Sequence, residues 1–181
     1  HFPKSEDENL NKISVNWNED ETVFKKWCEG NTGVPIIDAA MRYFNDTGTM
    51  HNRLRMIVSS YLTKNLLVNW KKGEQYFASK LLDYEASSNV GSWQWAASTG
   101  ADSVPYFRIF NPYLQSAKFD KDAVFIKSVI TELKDVNTKL IHSENGVQSN
   151  IFLNYPPQIV SIDFSRKRAI EEFKRANNEK Y

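Results

Sequence analysis

The sequence predicts an all-α fold in a single unit, and three observations lead to this prediction. Apolar residues recur at intervals of three and four along most of the chain, which is the period of a helix with one buried face. The strict alternation of apolar and polar residues that marks strands is almost absent. With 41% hydrophobic and 13% aromatic residues, 181 residues are enough for one hydrophobic core, and no repeat, linker or low-complexity tract divides the chain.

The first third of the chain predicts a loop and three helices. Residues 1–16 are polar and predict a loop, whereas 17–29 carry apolar residues at partly helical spacing and predict a short helix. A proline suited to a first helical turn opens a second helix over about 35–45, which a turn cluster of Asn, Asp, Thr and Gly ends. The longest helical pattern then runs over 50–67. Its regular apolar spacing indicates a helix that is buried in the core.

The rest of the chain alternates between helical patterns and punctuated segments. Residues 71–85 predict another helix, with apolar residues at helical spacing. The segment 86–112 is rich in Gly, Ser, Asn, Pro and aromatic residues and lacks clean periodicity, so we expect an irregular segment of the kind that often carries function. The last part predicts, in order, a helix over 121–135, a Ser/Asn/Gly loop around 143–150, a break at Pro156-Pro157 and a charged helix over 163–180.

Composition excludes several classes of function. The formal net charge is +1, so no global field indicates nucleic acid or a membrane, and any basic surface must be local. Cys28 is the single cysteine, which excludes an internal disulfide framework and fits a reducing compartment. Three scattered histidines have no metal-ligand spacing, and we therefore expect no metal site.

Hydropathy and the first residues indicate the setting of the chain. No apolar run reaches the roughly 18 to 20 residues that a membrane helix needs, and no signal-peptide pattern opens the sequence. We expect a soluble, monomeric protein that is not secreted and lies in a bacterial or archaeal cytoplasm, or in a eukaryotic nucleus or organelle. Because the chain opens with His1-Phe2-Pro3 in a polar stretch, we expect a piece of a longer protein.

A compact polar cluster lies in "MHNRLRM" at the head of the long apolar helix. On a helix, Asn52 and Met56 are neighbours at i and i+4. Arg53 and Met56 are neighbours at i and i+3, and so are Asn52 and Arg55. One interpretation is an ordinary helix start whose arginines reach solvent. The alternative is a binding site where an amide, a guanidinium and a thioether meet a flat, partly polar ligand.

A second candidate stretch is "LLDYEASSNVGSWQW". Asp83 and Glu85 follow the apolar end of a helix, and Arg55 is a candidate partner for them if they are buried. They are equally compatible with surface residues. Trp93 and Trp95 lie about 200° apart on a helix, so one of them should point away from the core. The tryptophans are either core aromatics or a redox relay with a stacking surface for a base or a flavin ring.

These segments together resemble a known family. The stretches "TGVPIIDAAMRYF", "TGTMHNRLRMIVSSYLTKNLLVNW", "GEQYF", "SNVGSWQWAASTGADSVPYFRIFNP" and "QSAKFD" are similar to the C-terminal part of the helical FAD-binding domain of the DNA photolyase and cryptochrome family. The resemblance implies that 1–181 is the C-terminal portion of that domain, with a loop over 1–16, the core motifs over 17–135 and a C-terminal extension and helix over 136–181. The family's antenna domain, with its second chromophore, would lie in a missing N-terminal part.

The resemblance also implies roles for individual residues around FAD. Asn89 would face the flavin N5 atom, and Arg55 would pair with Asp83 near the flavin. An electron path to the surface would run through Trp93, Trp70 and Trp17. The residues expected at the cofactor are Asn52, Arg55, Asp83, Tyr84, Glu85 and Asn89, and the residues expected to take part in the reaction are Asn52, Trp93, Trp70 and Trp17.

UV-damaged DNA is the expected partner. The resemblance places Asn52 and Arg53 between the cofactor and the lesion, Met56 in the pocket wall and Trp95 under the flipped-out pyrimidine dimer. Enzymes that act on a base must replace its lost stacking with aromatic and apolar surface. Three further residues are expected to contact phosphates, namely Arg108, Gln115 and Lys118.

The function that the resemblance implies is light-driven repair of cyclobutane pyrimidine dimers by electron transfer from reduced FAD, and the alternative is a cryptochrome photoreceptor without repair activity. Asn89 favours the photolyase, because plant cryptochromes tend to have Asp there and animal ones Cys. The stretch also lacks the paired histidines of photolyases for (6-4) lesions. Four positions depart from the family pattern, namely Thr49, Glu85, Val90 and Ser92. A third possibility is a helical domain that has lost the light chemistry and still binds nucleic acid.

Overall fold

Helices make up the regular structure of this protein, as the sequence predicts, in a computed structural model that describes residues 13–100 and 105–179. Within these residues there is no strand. The α-helices are α1 (Glu21–Glu29), α2 (Pro35–Thr47), α3 (Asn52–Ser60), α4 (Trp70–Lys80), α5 (Ala86–Ala96), α6 (Pro112–Phe119), α7 (Val124–Val129), α8 (Thr138–Ile141) and α9 (Ile162–Asn178). Short 3₁₀ helices span Thr131–Leu133 and Val147–Ser149.

An aromatic cluster forms the centre of the core. Trp27 of α1 contacts Trp93 of α5, with ring centroids 5.9 Å apart, and Phe77 of α4, at 6.2 Å. Phe44 of α2 stacks on Phe77 with centroids 4.5 Å apart. Stacked and edge-on rings at these separations add to the free energy gained by burying apolar area. The cluster therefore fixes α1, α2, α4 and α5 relative to one another.

The last helix packs against the beginning of the described chain. Phe173 of α9 is fully buried in a second apolar cluster that includes Val15 and Leu67. Trp17 lies half-buried beside it, with ring centroids 6.1 Å apart. The predicted charged helix over 163–180 thus exists with nearly the expected bounds. Trp17, predicted within a short helix over 17–29, lies ahead of α1, which Asp20 caps by accepting a hydrogen bond from Thr22 N.

The long helix predicted over 50–67 changes its geometry part of the way along. After α3 the chain continues as a π-helix over Tyr61–Asn65, and the amide of Leu66 donates to the Tyr61 carbonyl five residues earlier. Every residue of this π turn is buried. The wider turn directs polar side chains into the body of the protein, where the Asn65 amide donates to Ser165 Oγ of α9 at 3.0 Å.

Other expected elements also differ from the structure. The segment 86–112, expected to be irregular, begins with the regular helix α5. One side of α5 buries Val90, Trp93 and Ala96 in the core, while another lines a cavity, so the sequence of the helix shows no apolar–polar contrast. The helix predicted over 121–135 is interrupted, because Ala123 has the left-handed φ of 54° before α7 and the backbone leaves helical geometry at Ile130.

Candidate functional site

A cavity of about 570 Å³ opens between α3, the segment after α4 and the helix α5. It unites the two stretches that the sequence singles out, and its size is within the usual range for ligand pockets. The residues that line it are Asn52, Arg55, Met56, Ser59, Phe77, Leu81, Asp83, Glu85, Ser87, Ser88, Asn89, Gly91, Ser92, Trp93 and Trp95.

One wall of the cavity is the first two turns of α3. His51 caps this helix, because its Nδ1 atom accepts a hydrogen bond from the amide of Arg53 at 3.1 Å. Asn52 and Met56 lie one turn apart, and the Asn52 amide nitrogen is 3.9 Å from the Met56 sulfur. The cap holds these side chains in a fixed order along one face. The wall therefore offers a hydrogen-bonding amide beside a polarisable apolar surface.

An ion pair at the cavity connects α3 to the segment after α4. Arg55 Nη2 lies 3.2 Å from both carboxylate oxygens of Asp83, and Arg55 Nε donates to the Met50 carbonyl at 2.7 Å. The pair joins residues 28 positions apart. From the sequence, Asp83 is either a partner of Arg55 or an ordinary surface residue, and the structure shows the pair. The backbone contact fixes the guanidinium plane, so its direction is set before any ligand binds.

Glu85 serves first as the cap of α5. Its two carboxylate oxygens accept from the amides of Ser87, at 3.1 Å, and Ser88, at 2.7 Å. The hydrogen bonds from Ser88, and then from Ser87, lower the pKa of the Glu85 carboxyl. The carboxylate therefore orients the helix that carries Asn89, while its expected contact with a cofactor stays a prediction.

Asn89 is held by its own amide nitrogen. Nδ2 donates to Glu74 Oε1 at 3.1 Å and to the Glu74 carbonyl at 3.3 Å, both on α4. Because the nitrogen is engaged there, the amide has a defined orientation, and its oxygen is the group that it offers to a bound molecule. Asn89 is thus a fixed hydrogen-bond acceptor at the edge of the cavity.

The two tryptophans of α5 differ in burial, as their spacing predicts. Trp93 is 3% exposed and packs into the aromatic core, whereas Trp95 is half-buried. Both line the cavity. The closeness of Trp93 to α4 depends on Gly73, where an added Cβ would lie 2.3 Å from the indole ring. Trp95 is left as a partly open aromatic surface at the cavity.

Comparisons with known proteins agree with this geometry. A family model described as the FAD binding domain of DNA photolyase matches residues 1–175.

This chain belongs to the DNA photolyase family.

Its relatives include deoxyribodipyrimidine photo-lyases of Buchnera aphidicola, 51% identical over 90% of the chain and 34% of that relative, and of Escherichia coli, 46% identical over 92% and 36%. A class III photolyase from Agrobacterium tumefaciens matches with a TM-score of 0.88 and 39% identity, over 98% of the chain and 39% of its own. A Synechocystis cryptochrome has a TM-score of 0.84 at 33% identity, over 93% and 37%. The chain spans about a third of the length of these relatives.

The tryptophans expected in the photolyase electron path lie on three neighbouring segments. Trp93 is on α5, fully buried Trp70 begins α4, and half-buried Trp17 precedes α1. The ring of Trp93 covers Gly73, three residues after Trp70. No role is assigned to Trp27 from the sequence, yet its ring contacts the Trp93 ring directly, with centroids 5.9 Å apart. Its apolar helical spacing matched an ordinary core residue, so the sequence carried no signal for this contact.

Several of the expected DNA contacts lie at a second cavity, of about 710 Å³, on the other side of α3. Arg53 and Gln115 line it, and the Arg53 guanidinium lies 4.5 Å from the centre of the Phe119 ring. Lys118 approaches the same ring at 5.3 Å. Arg53 and Lys118, both expected at DNA, therefore approach the same Phe119 ring, and Gln115 lines the same cavity as that ring.

Two further expected site residues, Tyr84 and Arg108, line neither cavity. Tyr84 does not line the first cavity, and its hydroxyl donates to Glu74 at 3.2 Å. Arg108 lines neither cavity, and its backbone amide donates to the Pro105 carbonyl at 2.9 Å. Their roles at the cofactor and at DNA stay predictions.

Two findings on the described part of this photolyase-family chain concern metal ions and membranes. Among residues 13–100 and 105–179, no group of three or more His, Cys, Asp or Glu side chains is arranged to hold a metal ion. None of the helices described there is both long and apolar enough to cross a membrane.

Burial raises the pKa of the Cys28 thiol to about 12, so it is not a reactive thiolate near neutral pH.

Proposed function

We propose that the protein containing this chain repairs cyclobutane pyrimidine dimers in DNA with blue light, and that the first cavity holds the isoalloxazine part of FAD. The observation that carries the proposal is the convergence of Asn52, Asn89 and Trp95 on one cavity, in a chain of the photolyase family. When bound there, reduced FAD excited by light would supply the single electron that splits the dimer and would take that electron back afterwards.

The groups that line the cavity fit a flavin. A planar ring with polar edges needs apolar faces together with fixed donors and acceptors around its rim. Met56 and Trp93 supply apolar surface, the Asn89 oxygen supplies an acceptor, and the guanidinium of Arg55 is held in place by Asp83. FAD as a whole is larger than the cavity, and we assign its remaining contacts to the part of the parent protein outside this chain.

The DNA lesion would bind on the open side of the same cavity. A flipped-out dimer loses its stacking in the duplex, and half-buried Trp95 with Met56 replaces that stacking. The Asn52 amide faces the same space and can bond the base edges. Arg53 lies on the next face of α3 and would hold a phosphate, which fixes position without reading sequence.

The tryptophans would supply the electron that reduces the oxidised cofactor. Trp93 lines the cavity and would give an electron to oxidised flavin, and Trp70 and then Trp17 would refill it in turn. Trp17, half-buried and the least enclosed of the three, would lose its indole proton to water. This path delivers electrons to the buried site without opening it to solvent.

Trp95→Ala in the full-length, flavin-loaded protein tests the proposal. We expect the visible flavin spectrum to remain, while affinity for dimer-containing DNA falls about tenfold to a hundredfold because one stacking surface is lost. Blue-light repair of the oligonucleotide should fall with it. Phe152→Ala, at an exposed turn residue far from both cavities in sequence, is the control and should keep wild-type repair. A parent protein that binds flavin and never repairs dimers would refute the proposal.

A cryptochrome-type photoreceptor is the second candidate, and the similarity to the Synechocystis cryptochrome favours it. The same repair assay separates the two, because a photoreceptor would show flavin photochemistry without dimer cleavage. We further propose that the parent acts as a monomer on UV-damaged DNA, away from membranes, in a bacterial or archaeal cytoplasm or a eukaryotic nucleus or organelle. Its second, antenna chromophore would lie on the part of the protein that precedes this chain.

A further inference from the structure

A buried lysine lies close to the tryptophan expected at the outer end of the electron path. Lys64, in the π turn, is 0% exposed. Its ammonium donates to Ser98 Oγ at 2.7 Å and to the Tyr106 carbonyl at 3.2 Å. In the described parts of the chain, Lys64 forms no ion pair with a carboxylate. No carboxylate among residues 13–100 and 105–179 therefore neutralises its charge, and a buried cation of this kind acts over a long distance.

The side chain of Phe173 joins this lysine to Trp17. The Lys64 ammonium lies 4.4 Å from the centre of the Phe173 ring, and the Trp17 ring meets the same ring at 6.1 Å in an edge-on arrangement. Phe173 is itself fully buried, so no water layer separates the two groups along this line. The ammonium and the Trp17 indole are thus within roughly 10 Å of each other through a medium of low polarity.

We propose that Lys64 sets how easily Trp17 is oxidised, so that its positive charge disfavours a positive charge on the Trp17 ring and promotes release of the indole proton. The inference rests on the proposed function, which supplies the light-excited flavin as the one-electron oxidant. In the step concerned, one electron leaves Trp17 for oxidised Trp70, and the N–H proton of Trp17 then passes to water. Lys64 lines neither cavity, so it would act on the reaction only through the charge that it places near Trp17, as a positioning residue.

Other charged groups of α9 have hydrogen-bond partners of their own. On α9, Glu172 accepts from the Asn16 amide at 2.6 Å and pairs with Arg175, whose hydrogen bond lowers the pKa of the Glu172 carboxyl. Arg168 donates to the Asn65 carbonyl at 2.6 Å. These groups keep their charges through the neutral range. Burial lowers the pKa of Lys64 to about 7, so the cation facing Phe173 is the group whose charge changes there.

Two tyrosines also lie close to Lys64 in the chain or in space. Tyr61 shares the π turn with Lys64, and burial raises its pKa well above the ordinary value. Tyr106 contributes its backbone carbonyl to Lys64 from the segment before α6. With its raised pKa, the Tyr61 phenol stays neutral near pH 7. A change in the environment of Trp17 around neutral pH would therefore report on Lys64.

The test uses the full-length, flavin-loaded protein labelled with 5-fluorotryptophan, with Trp17→Phe to assign the Trp17 resonance. In the dark, the fluorine resonance of Trp17 should titrate with a midpoint near neutral pH in the wild type and lose that titration in Lys64→Met. After a flash, below the pH at which Lys64 loses its proton, the radical cation of Trp17 should live about tenfold longer in Lys64→Met. Lys174→Met, an exposed cation next to Phe173 on α9, is the control and should behave as wild type.

Each failure points to a different cause. An unchanged titration or an unchanged radical lifetime in Lys64→Met overturns the inference. If Lys64→Met fails to fold, the pH titration of the wild-type Trp17 resonance decides alone, because the absence of a midpoint near neutral pH refutes the coupling. A third outcome is that the dark titration is present but neither the wild type nor Lys64→Met forms a tryptophan radical. This outcome refutes the electron path, and with it the proposed function of the tryptophans, while the coupling between Lys64 and Trp17 stands.

Discussion

Two buried charged side chains are stabilised in different ways. Asp38 of α2 is 0% exposed and accepts four hydrogen bonds, from Thr32 N at 2.7 Å, Thr32 Oγ1 at 2.6 Å, Gly33 N at 3.0 Å and the Tyr155 hydroxyl at 2.6 Å. Lys64 has two oxygen acceptors and the face of an aromatic ring. Burial raises the pKa of Asp38 and lowers that of Lys64, since in both cases the charged form is the costly one.

Asp38→Asn should destabilise the folded state by about 3 kcal/mol, because an amide nitrogen would face donors that need an acceptor. Tyr155→Phe removes one donor and leaves the other three, so it should cost only about 1 kcal/mol. Denaturant unfolding of the full-length protein followed by circular dichroism measures both values. Equal losses of unfolding free energy in the two variants would contradict the view that Asp38 holds the backbone at Thr32 and Gly33 in place.

Lys64 should make the free energy of unfolding depend on pH. Its pKa falls from 10.5 to about 7 on folding, so between these values the unfolded chain binds more protons. Stability therefore rises as the pH increases above about 7, by up to about 1.4 kcal/mol per pH unit. Denaturant midpoints from about pH 7 to 8.5 measure this slope, below the range where Cys28, with its raised pKa, acts in the opposite sense. Lys64→Met should lose the slope, and a slope that persists in this variant would assign it to another group.

At the scale of elements, the contact between α4 and α5 depends on a glycine. Gly73 lies beneath the Trp93 ring and against Leu62, where an added Cβ would approach the indole to 2.3 Å and the leucine to 2.7 Å. Gly91 of α5 has no atom within 4 Å of an added Cβ. The two glycines are thus opposite cases in neighbouring helices, because one is required by packing and the other is not.

Gly73→Ala should destabilise the protein by about 2 kcal/mol, because the buried indole must move, and it should shift the tryptophan emission spectrum. Gly91→Ala should instead leave stability unchanged or raise it by up to about 1 kcal/mol, since alanine is the better helix former. Thermal unfolding with fluorescence detection compares the pair in the flavin-free protein. The packing argument fails if both substitutions have the same effect.

At the scale of the whole molecule, α3 separates two cavities and gives each a different chemistry. Asn52 and Met56 line one cavity, Arg53 and Leu54 line the other, and Arg55 borders both. The formal charge of the chain is only +1, so a phosphate would be attracted by local cations and not by the field of the whole chain.

Arg53→Met in the full-length protein should therefore weaken binding to DNA of any sequence and reduce the dependence of log Kd on log salt concentration by about one unit. Asn52→Ala should weaken binding of dimer-containing DNA and leave that salt dependence unchanged. Fluorescence anisotropy over a range of salt concentrations measures both. If Arg53→Met keeps the wild-type salt dependence, Arg53 does not contact a phosphate.

Helical periodicity is a local signal, and it predicted the helical class. The residues of the first cavity were brought together by the resemblance to the photolyase and cryptochrome family, because spacing alone left each of the two stretches with two interpretations. Periodicity missed α5, where a cavity on one side removes the polar face that periodicity depends on. It also missed the contact of Trp27 with Trp93 and the burial of Lys64. Those features depend on tertiary packing between segments far apart in the chain, and a single sequence does not encode them in any local pattern.

The π turn over 61–65 also constrains how the length of this region can change. A π turn contains one residue more than an α turn, and it is equivalent to a single-residue insertion in a regular helix. Deleting any one of the five residues would restore uniform helical geometry and change the direction in which the remaining side chains of the turn point. Lys64 or Asn65 would then face a different neighbour, so the extra residue cannot be lost without rebuilding the junction with α9.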